Sequence, residues 1–296
     1  MSLDNIKVSI VIPTFNRAHF LRQVIDSCIN QTYPCEIIVC DHGSSDNTPE
    51  IMDSYRDRVK YIRREEDFGP HFCWLEGVLH ATGDYIHLQY DDDWIKETYI
   101  EKCIKLFDDD TGLVFSAVEV INEDTGNIII KLFTDLFKTG VYKTKRIENF
   151  ILRNLISPGA IIFRKQDIID ALYRGGLPLV KHQYHGVGPD YFMSLICLLR
   201  YKKFGFISEP LAVFRSHDKS ITIDASKDAK KQLKIDRAYQ EVKNYYLILK
   251  YSRVFKIHLI MNFFSLREYY LFAKRIYSYI RMIISRIFRC KEKKSI

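Results

Sequence analysis

Three carboxylates in a row, Asp91, Asp92 and Asp93, close an apolar run in the segment YIHLQYDDDWIKETYI (residues 85–100), and a helix-like segment follows them. Asp is favoured at helix N-caps and in first turns, where one or two such residues serve. A third adds like-charge repulsion that capping does not use. A bound cation or cationic ligand is therefore the competing chemistry. Two earlier loops are also polar: Pro13-Thr14-Phe15-Asn16-Arg17, and Asp41-His42-Gly43-Ser44-Ser45-Asp46. Taken singly, each suits a turn that launches a helix as well as it suits a ligand contact.

The elements around these loops set where they sit. KVSIVIP (7–13) and CEIIVCD (35–41) are apolar, β-branched runs of the kind buried on both faces in a parallel sheet. VKYIRR (59–64) and DYIHLQY (84–90) continue the series. Residues 17–30, 46–55 and 71–82 have helical spacing between them. Four strands alternating with helices predict an open, mostly parallel α/β sheet. Ligands of such sheets sit beyond the carboxyl ends of the strands, where all three polar loops fall, so one crevice would gather them. Further strands are predicted at 111–121 and 157–165, with mixed helices between. No glycine-rich phosphate loop of the GxxxxGK[ST] or GxGxxG kind is present, against a P-loop NTPase or a dinucleotide oxidoreductase.

In order and spacing, VSIVIPTFNR, IIVCDHGSSDNT, DFGPHFCWLEGV and ATGDYIHLQYDDDW resemble the successive blocks of the family 2 glycosyltransferases, inverting enzymes of the GT-A fold. The resemblance implies that Pro13, Thr14 and Asn16 touch the nucleotide of a sugar donor and that Asp41 accepts the uracil N3–H. An ionised carboxylate is an acceptor only, which suits that partner. His42 stands where the family usually has a second Asp, and Asp67-Phe68-Gly69 replaces the more usual Asn-x-Gly, which gives Asp67 a supporting role. Ser44 and Asp46 are read as serving the turn and the next helix cap. On the same pattern Asp93 becomes the ligand of a Mn²⁺ or Mg²⁺ ion, with Asp92 facing the ribose or the metal's waters. Mg²⁺ keeps several waters at phosphate sites, so a single direct carboxylate suffices. Two later stretches match more weakly. In GVGPDYFMSLICLL, Asp190 opens a helix and aligns with the family's general base; helix capping behind Pro189 is the plain alternative. In EPLAVFRSHDKSIT, Arg215 is matched to the phosphates, and His217 either completes the metal shell or is a solvated loop residue.

Composition supplies the setting. The 296 residues are 47% hydrophobic and 27% charged, values of a folded chain. Seven cysteines without a CxxC pair, mostly inside apolar runs, read as buried thiols of a reducing compartment. Asp4 ahead of a short strand does not resemble a signal peptide. The net charge of +7 is uneven. Residues 250–296 hold 12 Lys/Arg against two Glu, and the rest carries 32 basic against 35 acidic residues. Confinement of the charge to the tail argues against nucleic acid as a partner. Within that tail, Arg267, Lys274, Ser278, Arg281, Ser285 and Arg289 share one helical face, and Tyr269, Phe272, Ile276, Ile280, Ile283 and Ile287 the other. Such a helix lies on an anionic membrane or packs against the catalytic domain or a second subunit as a homo-oligomer.

The expectation is therefore a GT-A catalytic domain over 1–220, with a donor half to about 110 and an acceptor half over 111–220, followed by a helical extension over 221–296. It would move a sugar from a UDP-sugar to a glycan or lipid-linked acceptor in bacterial surface polysaccharide synthesis, on the inner face of the cell membrane. A nucleotide-sugar-binding module without catalysis, and a basic nucleic-acid-binding protein, are the readings from other classes.

Overall fold

The computed structural model describes residues 6–172, 187–217 and 228–261, with side chains to 252. The amphipathic stretch 266–289 lies outside the described residues. Contacts divide the chain into two units, 1–246 and 247–296.

The apolar runs form β1 (Val8–Thr14), β2 (Cys35–His42), β3 (Lys60–Arg64) and β4 (Tyr85–Leu88). They alternate with α1 (Ala18–Ile29), α2 (Thr48–Asp53) and α3 (Pro70–His80). These strands are parallel and lie in the order β3-β2-β1-β4. Ile10, Val11 and Ile12 are fully buried, so consecutive β1 side chains point into apolar layers on opposite faces. That is why the segment is apolar throughout rather than alternating. One layer reaches the sheet through a glycine: a Cβ at Gly77 of α3 would stand 2.3 Å from Val11 Cγ1.

Beyond β4 the sheet becomes mixed. β5 (Trp94–Ile95), α4 (Tyr99–Ile104), β6 (Thr111–Asn122), β7 (Ile128–Leu132), β8 (Gly140–Lys143) and α5 (Glu148–Ile151) precede β9 (Ile161–Arg164) and α6 (Lys165–Leu172). After residue 186 come α7 (Pro189–Arg200), β10 (Lys203–Ser216) and α8 (Ala229–Met261). The full path is β3-β2-β1-β4-β9-β6-β10-β5, with β7 on β6 and β8 on β10. β9 runs antiparallel between β4 and β6, while β10 is parallel to β6 from Lys203 to Ser216, with three register shifts. Three features differ from the sequence expectation. The two-residue strand β5 precedes the helix after Asp93, and β7 and β8 occupy part of the stretch expected to be helical. The pairings beyond β4 are antiparallel apart from β6–β10. β7 carries IIIKL with Ile128, Ile129 and Ile130 about half exposed, so no buried face marks its period.

α8 starts with a stripe of Ile235, Ala238, Val242, Tyr245 and Tyr246, buried at spacings of three and four. The stripe packs against α7 and α5: the rings of Tyr245 and Phe192 of α7 lie 5.4 Å apart, and Tyr246 donates to Oε1 of Glu148 in α5 at 2.8 Å.

Candidate active site

A cavity of about 530 Å³ opens at the carboxyl ends of β1, β2 and β4, a size suited to a small-molecule ligand. Pro13, Thr14, Arg17, His42 and Asp67 line it together with the acids Asp91, Asp92 and Asp93. Asp190, Arg215 and Tyr239 enter from later elements. The three loops singled out in the sequence thus meet in one place, although not all their residues face it.

The β1–α1 loop is fastened to the β2–α2 loop before either reaches a ligand. Asn16, at φ 55°, donates its amide to Ser44 Oγ at 2.9 Å, and its Oδ1 accepts the Ser45 amide at 2.8 Å. Asp46 accepts the Ala18 amide at 2.9 Å and the Thr48 hydroxyl at 2.6 Å, and so ties down the first turns of α1 and α2 together. Asp41 is completely buried: Oδ1 accepts the Ser44 amide at 2.9 Å, Oδ2 accepts the Tyr61 hydroxyl at 2.6 Å, and the Arg63 guanidinium is 3.6 Å away. Neither Asn16 nor Asp41 is among the lining residues. His42 does face the cavity. Its buried ring has Glu76 Oε2 at 3.3 Å and Asp67 Oδ1 at 3.7 Å, and Asp67 also accepts the Gly69 amide at 2.7 Å.

The acidic cluster is organised by two arginines and a histidine. Asp92 Oδ2 accepts from Arg17 Nη1 at 2.8 Å and lies 3.1 Å from His217 Nε2. Asp93 Oδ1 accepts the Arg215 amide at 2.8 Å. The Arg215 guanidinium donates to the Asp92 carbonyl at 3.0 Å and to Gln23 at 2.6 Å, sandwiched over Phe20 and Trp94 at 4.4 and 5.0 Å. Burial, then the Asp92 charge, raises both Asp91 and Asp93 above the usual carboxylate range. Burial acts on Asp92 in the same direction, but the His217 hydrogen bond and the Arg17 charge outweigh it and hold it low.

Among the described residues no group of three His, Cys, Asp or Glu side chains converges as a ready-made metal cage. The donor set nevertheless fits a hard cation that takes most of its ligands from phosphates and water. Asp93 Oδ2 has no protein partner among the described residues; Asp92 is close enough for its charge to act on Asp93, and His217 is held against Asp92. His217 is not among the lining residues.

Asp190 opens α7 and is only 8% exposed. Gly188, at φ 111°, turns the chain so that its own amide and that of Tyr191 both donate to Oδ1 at 2.7 Å. The first turn thus claims one carboxylate oxygen, and Oδ2 remains, with the Tyr239 hydroxyl 3.4 Å away. Burial pushes the carboxyl up to about 6 against the pull of those amides. A carboxylate with that value and one oxygen tied back is suited to taking a proton near neutral pH.

Sequence reasoning gave no role to Arg17, His42 or Tyr239. Arg17 was legible as a cation directly after the first strand-end loop. Tyr239 carried no signal, because it lies 49 residues beyond Asp190.

Known proteins agree with this architecture. The mycobacterial protein Mb1547 (Mycobacterium bovis), itself uncharacterized, is 26% identical over 235 residues, which is 76% of this chain and 63% of that one. The chain thus spans less than two thirds of that relative's length. Among solved structures, Staphylococcus aureus TarS 1–349 in complex with UDP-GlcNAc superposes with a TM-score of 0.59 at 16% identity, over 89% of this chain and 77% of that one. GalNAc-T7 with UDP, GalNAc and Mn²⁺ does so with a TM-score of 0.56 at 18% identity, over 72% and 44%. At these identities the two structures speak for the fold, which is that of the GT-A enzymes. The family description "Glycosyl transferase family 2" matches residues 9–169, from the first strand of the sheet into α6 and through all three polar loops. With more than half of its 296 residues inside that match, the chain belongs to glycosyl transferase family 2.

Proposed function

We propose that the protein is a metal-assisted inverting glycosyltransferase that moves a sugar from a UDP-sugar to a hydroxyl of a glycan or lipid-linked acceptor. The observation that carries this reading is a buried carboxylate, Asp190, in the same cavity as the acidic cluster, with one oxygen left for a proton. The acceptor oxygen attacks the anomeric carbon on the face opposite the nucleotide and forms the new C–O bond. Its proton passes to Asp190 Oδ2, and the bond to the β-phosphate oxygen breaks with the electron pair leaving on UDP. One displacement inverts the anomeric centre.

Pro13, Thr14 and Asp67 are assigned to the nucleotide side, with Arg17 and Arg215 beside the diphosphate. Asn16 and Asp41 shape that side from within; each Asp41 oxygen accepts one bond, from Ser44 or Tyr61, and keeps acceptor capacity for the uracil N3–H. Asp93, with Asp92 and His217 next to it, would hold Mn²⁺ or Mg²⁺, which supplies positive charge to the leaving diphosphate when bound. The Mn²⁺ and UDP-GlcNAc of the structural neighbours support these assignments.

A place on the inner face of the cell membrane, in surface polysaccharide synthesis, rests on the basic amphipathic pattern of residues 266–289. Among the described residues no helix is long and apolar enough to cross a membrane. A thermal-shift screen of UDP-sugars with and without Mn²⁺ identifies the donor, since a ligand selective for the native state raises its stability. UDP release from that donor is then measured. Release that requires Asp190 supports the enzyme, whereas donor binding without turnover identifies a nucleotide-sugar-binding module.

A further inference from the structure

The base candidate is approached by a helix that lies outside the family match. α8 presses its stripe on the start of α7 closely enough that a Cβ at Gly188 would stand 3.3 Å from Val242 Cγ2. One turn earlier in α8, Tyr239 packs with Val187, Ile235 and Ala238, and its ring meets Tyr191 edge-on at 5.7 Å. Tyr239 lines the cavity, and its hydroxyl lies 3.4 Å from Asp190 Oδ2, the oxygen that the Gly188 and Tyr191 amides leave alone. Among the described residues it is the one side-chain donor to that carboxylate.

We propose that Tyr239 is a positioning residue for the base: its hydroxyl keeps Oδ2 of Asp190 aimed into the cavity as the anion, and so makes the helical extension part of the catalytic apparatus. The proposal rests on the reading of Asp190 as the base. The geometry favours this role over simple packing. A phenol buried for packing alone is served by any acceptor, whereas this one meets the free lobe of a carboxylate whose other lobe is fixed. The bond is long, so an incoming hydroxyl can share or displace it. Besides the two amides of α7 and the phenol of α8, the Tyr90 phenol at the end of β4 faces Asp190. The Lys243 ammonium stands 5.8 Å over the ring of Tyr191, the residue next to Asp190.

The test is the titration of Asp190 in the full chain, read by ¹³C NMR of labelled Asp carboxyls, with the Asp190 signal identified by its loss in Asp190→Asn. A phenol donating to the anion favours ionisation. Tyr239→Phe should therefore move the titration up by about half a pH unit, the size expected of a long hydrogen bond to a charge. The acid limb of UDP release, from the UDP-sugar chosen by thermal shift, should move with it. 3-Fluorotyrosine at position 239, a stronger donor of the same shape, should move both the other way, and this variant carries the test if Tyr239→Phe does not fold. An unmoved carboxyl titration overturns the proposal. So does a moved titration with an unchanged pH profile of UDP release. If Asp190→Asn releases UDP at the wild-type rate, the base assignment itself is wrong, an outcome distinct from inactive Asp190→Asn with silent Tyr239 variants.

Discussion

Replacing Asp190 by Asn should make the protein more stable and far less active, with a gain that depends on pH in a calculable way. The carboxyl is held at about 6 against an ordinary 3.8 because burial penalises its anion. A value raised on folding means that stability is fullest below the unfolded value and is lost as pH rises through the folded one. The full penalty, reached above pH 7, is about 3 kcal/mol; at pH 5 only about half of it has appeared. Asn keeps an Oδ1 to accept the Gly188 and Tyr191 amides, and its new amide faces the Tyr239 oxygen, so the other contacts survive. Urea unfolding of both proteins at pH 5 and pH 8 isolates the effect, because any offset between Asn and neutral Asp cancels in the comparison. The Asn variant should gain on wild type by about 1–2 kcal/mol between the two pH values, while transfer falls by roughly 10² or more. A stability difference that is flat with pH, or that shrinks toward pH 8, refutes the reasoning about burial. Undiminished transfer moves the base elsewhere.

Asp93→Asn should leave the melting temperature of the apo protein near or above that of wild type and remove the Mn²⁺-dependent part of UDP-sugar binding, measured by calorimetry with and without EDTA; normal Mn²⁺-dependent affinity would show that Asp93 is not a ligand. Gly77→Ala should destabilise by about 1–3 kcal/mol, the usual scale of overpacking, because the new methyl meets Val11 across the α3–β1 contact. A neutral result in chemical unfolding would mean that helix and sheet can slide apart there. Truncation after Ser252 should release the protein from anionic liposomes while donor binding persists, each lost Lys or Arg near the surface being worth about 1 kcal/mol. Binding of the full chain should weaken with salt yet not vanish, and indifference to liposomes together with loss of a dimer on truncation would assign the apolar face over residues 269–287 to packing instead.

What could be read without coordinates followed burial. The runs at β1, β2 and β4 are enclosed on both faces, so nearly every position had to be apolar, and the alternation with helices then placed three loops at one end of a sheet. The regions that escaped are those whose residues do not answer to a core. β5 is two residues long, too short to show a period. β7 exposes its isoleucines, so their order says nothing about a face. The mixed pairing beyond β4 depends on β9 returning antiparallel between β4 and β6, both much earlier in the chain, and no local pattern encodes that. At the site, the residue types spoke of polar loops, yet which side chains line the cavity was decided by loop geometry. Asp41, bonded to Ser44 and Tyr61, and Asn16, bonded to Ser45, stand outside its lining for that reason. Tyr239 was silent because its partner is set by the docking of two helices.

β10 also fixes the order in which the molecule can be completed. Its amide at Arg215 clamps Asp93 across 122 residues of chain, and its guanidinium reaches the Asp92 carbonyl across a similar span. Closing a loop costs entropy before any contact repays it, and although that cost grows slowly with length it is higher here than for a neighbouring βα unit, which favours the local units forming first. During synthesis the nucleotide-side loops and all three acids have left the ribosome long before Lys203 appears. Until β10 is made, the acidic cluster has Arg17 but lacks the Arg215 and His217 contacts, and one side of β6 is an open edge of the kind that invites association.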